Sequence, residues 1–418
     1  MADQTTTIPK GWKMTTLGAV GITVTGKTPS KDNPDDWGDF LDFITPTDIN
    51  TDSKYLKNVA RKLSEDGANR FKKMIIPSKS VVVTCIGSDM GKVVMNENEA
   101  LTNQQINSIK INSDNDKDYF FYLLKDSYTI LRNIAVGGST MPILNKTTFE
   151  SLEFLTPSLH EQRAISTVLS SLDDKIELLF EQNKTLEATA QAIFKEWFVN
   201  FNFPGATGQM IDSEMGDISE GWRVGKIKDL IDILSGFAFS SSDFSQTGEF
   251  KLVTIKNVQD RYFDSETKDR LTKLPESMPD YCKLDSGDIL LSLTGNVGRI
   301  CLVNGENFLL NQRVAKLKEK NPIDYAFTYL LFLQDSIFFL LQSTASGTAQ
   351  QNLSPIKTKE IEIIIADRKT LDQFGMVANK LIKKINDNSS QIQTLSVLRD
   401  TLLPKLMKGE VRVKEFDR

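Results

Sequence analysis

The chain has 418 residues, 40% hydrophobic and 25% charged, a composition typical of a globular protein with roughly two to four domains. No apolar run approaches the roughly 18–20 residues that cross a bilayer, and the polar N-terminus lacks a signal-peptide pattern, so we expect a cytoplasmic protein. Three scattered cysteines and one histidine argue against a disulfide framework, a zinc site or a histidine-based triad. The net charge of −5 argues mildly against DNA binding by this chain alone and favours a subunit whose basic surface is local.

Residues 1–157 have the pattern of a mixed domain. Short β-branched runs separated by Gly, Pro, Asn and Asp predict strands at 22–24, 43–45, 80–86, 92–95, 106–109 and 152–155. The apolar spacing from Lys117 to Arg132 predicts one helix. Strands with few interspersed helices indicate an α+β fold rather than regular βαβ winding.

Residues 158–205 change to a helical pattern. Apolar side chains at alternating three- and four-residue steps form an a/d seam, which consists of Leu172, Ile176, Leu179, Asn183, Leu186, Ala190, Ile193 and Trp197. Pro157 and Ser158 are start signals, and the segment 202–208 reads as a linker. Two amphipathic core helices are the alternative, but a core helix usually has ~10–14 residues, so a seam of this length favours a coiled-coil-like pairing.

Residues 206–366 repeat the first domain at an offset of about 208 positions, so that Gly11-Trp12 recurs as Gly221-Trp222. Residues 367–418 repeat the long helix, and Arg399 or Leu398 fills a gap in its seam. Pro404 is expected to kink or end a turn late in this helix. The second seam consists of Leu381, Ile385, Asn388, Ile392, Leu395, Leu402 and Leu406.

A duplication on this scale predicts a pseudo-symmetric α+β molecule in which two recognition domains are separated by two long antiparallel helices. A helix of ~30–40 residues spans about 45–60 Å, and one turn of DNA about 34–36 Å, so double-stranded DNA is the predicted partner. Asn183 and Asn388 would face each other in the antiparallel pair and set its register.

Polar loops supply the candidate DNA contacts, because Gly/Ser/Thr/Gln/Asn-rich segments offer donors and acceptors for base edges and phosphates. The candidates are Lys27, Thr28, Ser30, Lys31, Lys92, Ser139, Thr140, Lys256, Asn296, Arg299, Arg313, Thr348, Gln350 and Gln351. For the four Lys and Arg residues 92, 256, 299 and 313, a solvated surface charge is an equal alternative. Asn103 and Asn311 are better explained as turn caps that bond their own backbone.

Two other functions remain open at this stage. Asp35, Asp52 and Lys54 satisfy a permissive pattern for a self-contained Mg²⁺-dependent nuclease, although a solvated turn is the simpler account. A coiled-coil scaffold without a DNA role is the other alternative. The segment 87–93 is too short for a phosphate loop and reads as a hairpin turn. We predict no catalytic or metal-binding residue.

The helical ends carry the most specific resemblance. Residues 192–199 (AIFKEWFV) and 402–411 (LLPKLMKGEV) are similar to the central and C-terminal conserved helical regions of the specificity subunits of type I restriction-modification systems. The openings Pro9-Lys10-Gly11-Trp12 and Glu220-Gly221-Trp222 resemble the starts of that family's two target-recognition domains. Residues 288–292 and 347–354 match its recurrent internal motifs, and the first-half counterparts, 80–84 and 138–145, are weaker.

The resemblance implies a non-catalytic subunit. Each recognition domain would read one half of a split DNA site, and the paired helices would set the spacer and dock two modification subunits. Those adenine methyltransferases would carry S-adenosylmethionine, and motor-nuclease subunits using ATP and Mg²⁺ would complete the complex. Trp197, Phe198 and Phe201 would either pack in the core or join the seam residues in docking a modification subunit.

Overall fold

The computed structural model describes residues 8–51, 53–134, 143–347 and 351–413. The chain divides into two compact units, residues 1–177 with 394–418 and residues 178–393. Within the described ranges no single helix meets the length and apolarity of a membrane span, while the bent pair Pro322–Phe332 and Asp335–Thr344 meets them only when both members are combined.

The first unit contains one complete α+β repeat. Its 3₁₀ turns are Pro34–Asp36, Pro46–Asp48 and Lys72–Met74. Its strands and helices are β1 (Lys13–Thr16), α1 (Leu17–Val20), β2 (Gly21–Thr25), β3 (Trp37–Gly38), β4 (Leu41–Ile44), β5 (Tyr55–Leu56), β6 (Arg61–Leu63), α2 (Glu65–Arg70), β7 (Val81–Thr84), β8 (Val93–Asn96), β9 (Ala100–Thr102), β10 (Ile106–Ile111), α3 (Lys117–Asp126), α4 (Tyr128–Ile134), α5 (Lys146–Glu150) and β11 (Glu153–Thr156). The long helix α6 (Leu159–Phe198) follows and continues into the second unit.

The second unit contains the other repeat. Its 3₁₀ turns are Ser241–Asp243, Asp280–Cys282 and Pro322–Asp324. Its strands and helices are β12 (Met210–Ile211), β13 (Ile218–Ser219), β14 (Arg223–Lys226), α7 (Ile227–Leu230), β15 (Ile231–Ser235), β16 (Phe250–Val253), β17 (Arg270–Leu271), β18 (Lys283–Leu284), β19 (Ile289–Ser292), β20 (Ile300–Leu302), β21 (Phe308–Leu310), β22 (Val314–Glu319), α8 (Tyr325–Phe332), α9 (Asp335–Thr344), α10 (Pro355–Lys359) and β23 (Glu362–Ile365). Helix α11 (Arg368–Met407) ends the series.

The two repeats share the central part of their sheet topology and differ in their edge strands. The first has the strand order β2-β10-β7-β8-β5 and the second β15-β22-β19-β20. Each also has a second sheet, ordered β3-β6-β4-β9 and β17-β16-β21-β18, in which β4 pairs in parallel with β9 and β16 with β21. The predicted duplication therefore extends from sequence to topology, and the expected α+β class is confirmed.

The central strands are apolar on both faces because both faces are covered. Val81 and Val83 pack in the cluster that contains helix α3, whereas Val82 packs with Ile44 and Val94 on the opposite face. The second repeat alternates in the same way, with Ile289 and Leu291 in one cluster and Leu290 in another.

The single helix expected at 117–132 is two helices. Asp116 caps α3 by accepting a hydrogen bond from the Tyr119 amide at 2.8 Å, and the helix stops at Ser127. The Ser127 hydroxyl donates to the Leu123 carbonyl at 2.7 Å, and α4 begins at the next residue. Apolar spacing alone does not mark this break, because both helices keep an apolar face.

The long helices run antiparallel within each unit. In the first unit, Asp173 of α6 pairs with Arg399 of α11 at 2.7 Å, and Glu161 of α6 pairs with Arg412, just beyond α11. In the second unit, Asn183 bonds Asn388 at 2.9 Å, and the Phe194 ring lies 6.0 Å from that of Phe374. Pro404 lies inside α11, three residues before its end.

Candidate nucleic-acid interface

A polar cleft of about 580 Å³ opens in the second repeat. Four separate segments form it: the end of β15, the residues after β19, the turn between β21 and β22, and the segment that leads into α10. The cleft is lined by Ser235, Gly236, Leu293, Thr294, Gln312, Arg313, Asn352, Leu353, Ser354 and Pro355. Residues that carry hydroxyl, amide and guanidinium groups therefore line a single concave surface.

Backbone hydrogen bonds hold the walls of this cleft. Gly236 donates to the Val314 carbonyl at 3.0 Å, and a Cβ at Gly236 would overlap the carbonyl of Asn311. Leu353 donates to the Leu293 carbonyl at 2.7 Å. The wall residue Thr294 is buried, and its hydroxyl has no partner among the described residues. A buried polar atom of this kind is costly unless something bonds it.

The turn between β21 and β22 positions two of the polar side chains. The Asn311 side chain accepts a hydrogen bond from the Gln312 amide at 2.8 Å, which confirms its expected role as a turn cap. Arg313 follows with φ of 75°, in the left-handed region that L-residues rarely adopt. Its carbonyl accepts from the Leu293 amide at 2.9 Å, so the strained residue is anchored to the cleft wall.

The first repeat builds the equivalent turn with different side chains. Asn103 caps it by accepting from the Gln105 amide at 3.0 Å, and the Gln105 side chain in turn accepts from Asn103 at 3.1 Å. Thr28 donates to the Gln104 side chain at 2.6 Å. Gly26 occupies the place of Gly236, because a Cβ there would overlap the carbonyl of Thr102. Equivalent turns thus present Gln-Gln in one repeat and Gln-Arg in the other, and of these four residues only Arg313 has a positive φ.

The remaining loop candidates have varied surroundings. Lys27, Lys31 and Lys256 are exposed, as are Ser30, Asn296 and Gln351, and Ser30 donates to Asp32 at 3.2 Å. Lys92 pairs with Asp89 at 2.8 Å in the turn between β7 and β8. Arg299 donates to Gln259 at 2.5 Å. The candidates Ser139, Thr140, Thr348 and Gln350 lie outside the described residues.

The predicted seam residues all lie on the covered side of the long helices, where each is buried or half-buried. The expected contact between Asn388 and Asn183 is present, and Asn183 also donates to the Ile385 carbonyl at 3.3 Å and the Ser389 hydroxyl at 3.1 Å. Arg399 rather than Leu398 fills the seam gap, because Leu398 is exposed.

The aromatic cluster at the end of α6 is part of the core of the second unit. The ring of Trp197 lies 5.5 Å from that of Phe374, and the rings of Phe198 and Phe201 lie 5.7 and 5.3 Å from that of Trp222. The core-packing interpretation of these residues is therefore confirmed, and Phe198 is too buried to offer a docking surface.

Lys54, one of the three residues of the nuclease pattern, is held in a buried structural role. Its ammonium pairs with Asp118 at 2.7 Å and donates to Ser170 at 2.8 Å. Asp52 lies outside the described residues, and within the part of the chain that the structure describes no three His, Cys, Asp or Glu side chains form a possible metal cluster.

Sequence patterns did not reveal one anchoring pair in the second unit. Arg261, with φ of 60°, pairs with Glu187 of α6 at 3.1 Å. Burial raises the pKa of the Glu187 carboxyl, and the guanidinium offsets part of that rise. Arg261 and Glu187 are far apart in sequence and belong to no motif, so no sequence pattern could pair them.

A family model and several known proteins are similar to this chain. The family model described as the type I restriction modification DNA specificity domain matches residues 9–188 and 219–388. The chain is 29% identical to the type I restriction enzyme MjaIX specificity subunit of Methanocaldococcus jannaschii, over 98% of this chain and 95% of the relative. It is 35% identical to the HindI specificity subunit of Haemophilus influenzae, over 41% of this chain and 38% of the relative.

A solved structure shares the fold. The crystal structure of a type I restriction-modification system S subunit from M. genitalium is similar to this chain with a TM-score of 0.58 and 17% identity, covering 94% of this chain and 96% of the other.

Proposed function

The chain belongs to the family of type I restriction-modification DNA specificity subunits, and we propose that each of its repeats reads one half of a bipartite double-stranded DNA site. The observation that carries the proposal is the pair of equivalent turns: one fold is used twice, with Gln104-Gln105 in the first copy and Gln312-Arg313 in the second. Two copies that present different side chains at equivalent turns are suited to two different half-sites.

In this proposal the loop candidates make the DNA contacts. The exposed Lys27, Lys31 and Lys256 are suited to phosphates, which position a protein without reading sequence. Lys92 and Arg299 have internal partners and would have to exchange or share them. The chain's net charge of −5 makes partner subunits a natural source of further phosphate contacts.

The long helices would set the spacer between the half-sites and dock two modification subunits. Several large apolar side chains on these helices are exposed, and such side chains support a role in binding partners. On α6 they are Leu178 and Phe180, and on α11 they are Met376, Val377, Val397 and Leu398. These exposed residues, rather than the buried Phe198, are the stronger docking candidates.

The chemistry would belong to the partners. Adenine methylation with S-adenosylmethionine falls to the modification subunits, and ATP- and Mg²⁺-dependent restriction falls to the motor-nuclease subunits. The proposed assembly acts in the cytoplasm, and this chain supplies the sequence choice without binding a cofactor or metal.

Mapping methylated adenines across the host genome tests this function, in cells with and without the chain and with the modification subunits present in both. We expect one bipartite motif to be methylated only when the chain is present. An unchanged methylome would contradict the proposal. Cleavage of DNA by the purified chain that disappears in Asp52→Ala would instead support the nuclease, and the absence of any DNA footprint with the methyltransferase partners would support the scaffold.

A further inference from the structure

The two equivalent turns differ in what their side chains already bind. In the first repeat, Gln104 accepts a hydrogen bond from Thr28, and Gln105 accepts one from Asn103. In the second repeat, the structure assigns no hydrogen bond or ion pair to the side chains of Gln312 and Arg313 among the described residues, and both are exposed. Both side chains of the second turn are therefore available to a ligand, including the Arg313 guanidinium, which has no counterpart in the first turn.

The surroundings of Arg313 define what that ligand must offer. Thr294, Gln312 and Asn352 line the same cleft, although the Thr294 hydroxyl oxygen is itself buried as well as unpartnered among the described residues. Amides present both donors and acceptors, whereas a phosphate presents acceptors only. The edge of a base pair in the major groove carries both kinds of group, so the cleft matches base edges better than the DNA backbone.

The backbone conformation at Arg313 indicates that this residue is held in a specific position at the cleft. The left-handed φ of 75° is unfavourable for an L-residue, and strain of this kind is often found at functional sites. The hydrogen bond from Leu293 to the Arg313 carbonyl fixes the turn against the cleft wall. The backbone of Arg313, from which the guanidinium extends, is thus fixed at the cleft.

We propose that the cleft of the second repeat reads a guanine in its half-site through the Arg313 guanidinium. This inference rests on the proposed function, in which the second repeat reads one half of the DNA site. A guanidinium can donate two parallel hydrogen bonds to O6 and N7 of guanine, a geometry that no other base offers in the major groove. Gln312 and Asn352 would complete the reading at neighbouring bases or phosphates.

The test uses the full chain assembled with its modification subunits in a host that lacks other adenine methylation. Methylated motifs are mapped for the wild type and for Arg313→Lys and Arg313→Ala. Lys318→Ala is the matched control, because Lys318 is exposed on β22, the strand that follows Arg313, but does not line the cleft. The half of the motif that does not change reports in every sample that the complex is folded and active.

We expect both Arg313 variants to lose discrimination at one guanine position in one half of the motif, by about 5- to 150-fold. The other half and the spacer should stay unchanged, and Lys318→Ala should keep the wild-type motif. Lysine keeps the charge but not the planar fork, so a loss in Arg313→Lys identifies base reading.

Three results would overturn the inference. The first is an unchanged motif in both variants, and the second is a change in both halves of the motif. The third is a uniform fall in methylation with the motif intact, which would indicate a phosphate contact. Failure of the wild-type chain to give any bipartite motif would instead refute the proposed function, so the two failures are distinguishable.

Discussion

Asp173 lies where three elements of the first unit meet. Its two carboxylate oxygens accept hydrogen bonds from Tyr122 of α3 at 2.5 Å and from Arg399 of α11 at 2.7 Å. Burial, reinforced by this carboxylate, raises the pKa of Tyr122, so the phenol stays protonated and remains a donor. One side chain on α6 thus joins the recognition repeat to both long helices.

The guanidinium of Arg399 offers a matched comparison, because it binds two carboxylates in different surroundings. The Asp173 side chain is 9% exposed and that of Asp400 is 60% exposed. Asp173→Ala should lower the free energy of unfolding of the purified chain by about 3–5 kcal/mol, because it breaks a buried ion pair and leaves the buried Tyr122 phenol without its acceptor, while Arg399 keeps only the solvated Asp400. Denaturant unfolding measures the change.

Asp400→Ala is the control for that measurement. It removes a carboxylate that lies 2.8 Å from the same guanidinium but is exposed to solvent. The loss in the free energy of unfolding should therefore stay within about 1 kcal/mol. Equal losses in the two variants would contradict the importance assigned to burial.

At the scale of the element, the long helices combine an apolar seam with a specific polar contact. Asn388 is buried and donates to Asn183, which in turn bonds two groups on α11. An apolar seam tolerates sliding by one heptad, whereas an amide pair is satisfied in one register only. The asparagines therefore fix the register of the two helices, at some cost in stability relative to an apolar pair.

Single and double substitutions of this pair should have unequal effects. Asn183→Leu leaves the buried Asn388 amide without its acceptor and should cost about 1–3 kcal/mol. Asn388→Leu should cost less, because Asn183 keeps Ile385 and Ser389 as acceptors. The double leucine variant removes both polar groups and should recover most of the loss.

Denaturant unfolding of the three variants and the wild type forms a double-mutant cycle that measures the coupling. A double variant as unstable as Asn183→Leu would show that volume, not hydrogen bonding, dominates at this point of the seam.

The sequence predicted elements better than it predicted their assembly. The seam period and the β-branched runs marked both long helices and the strands at 43–45, 80–86 and 106–109, because burial on one or both faces leaves a local pattern. Strands of two or three residues, such as β3, β5 and β6, leave no pattern, and tertiary pairing alone defines them. The cleft could not be predicted from the sequence because it is formed by four segments that are distant along the chain, although Arg313 was among the predicted DNA contacts.

At the scale of the whole molecule, the chain contains two copies of one recognition fold. Substitutions at equivalent positions of the two copies should therefore have equivalent structural effects. Gly26 and Gly236 occupy the same place in the two repeats, each against a backbone carbonyl that an added Cβ would overlap. Unlike a flexible side-chain tip, a backbone carbonyl cannot move away cheaply. Alanine at either position should therefore force β2 away from β9 or β15 away from β21.

The physical cost should be similar in the two variants, about 1–3 kcal/mol for overpacking, but the functional consequence should differ. Gly26→Ala should weaken reading by the first repeat, and Gly236→Ala should distort the cleft that holds Arg313 in the second. Mapping methylated adenines with each variant should therefore show relaxed sequence choice in opposite halves of the motif. If both variants relaxed the same half, or both halves equally, the assignment of one half-site to each repeat would be wrong even though the duplication of the fold remained.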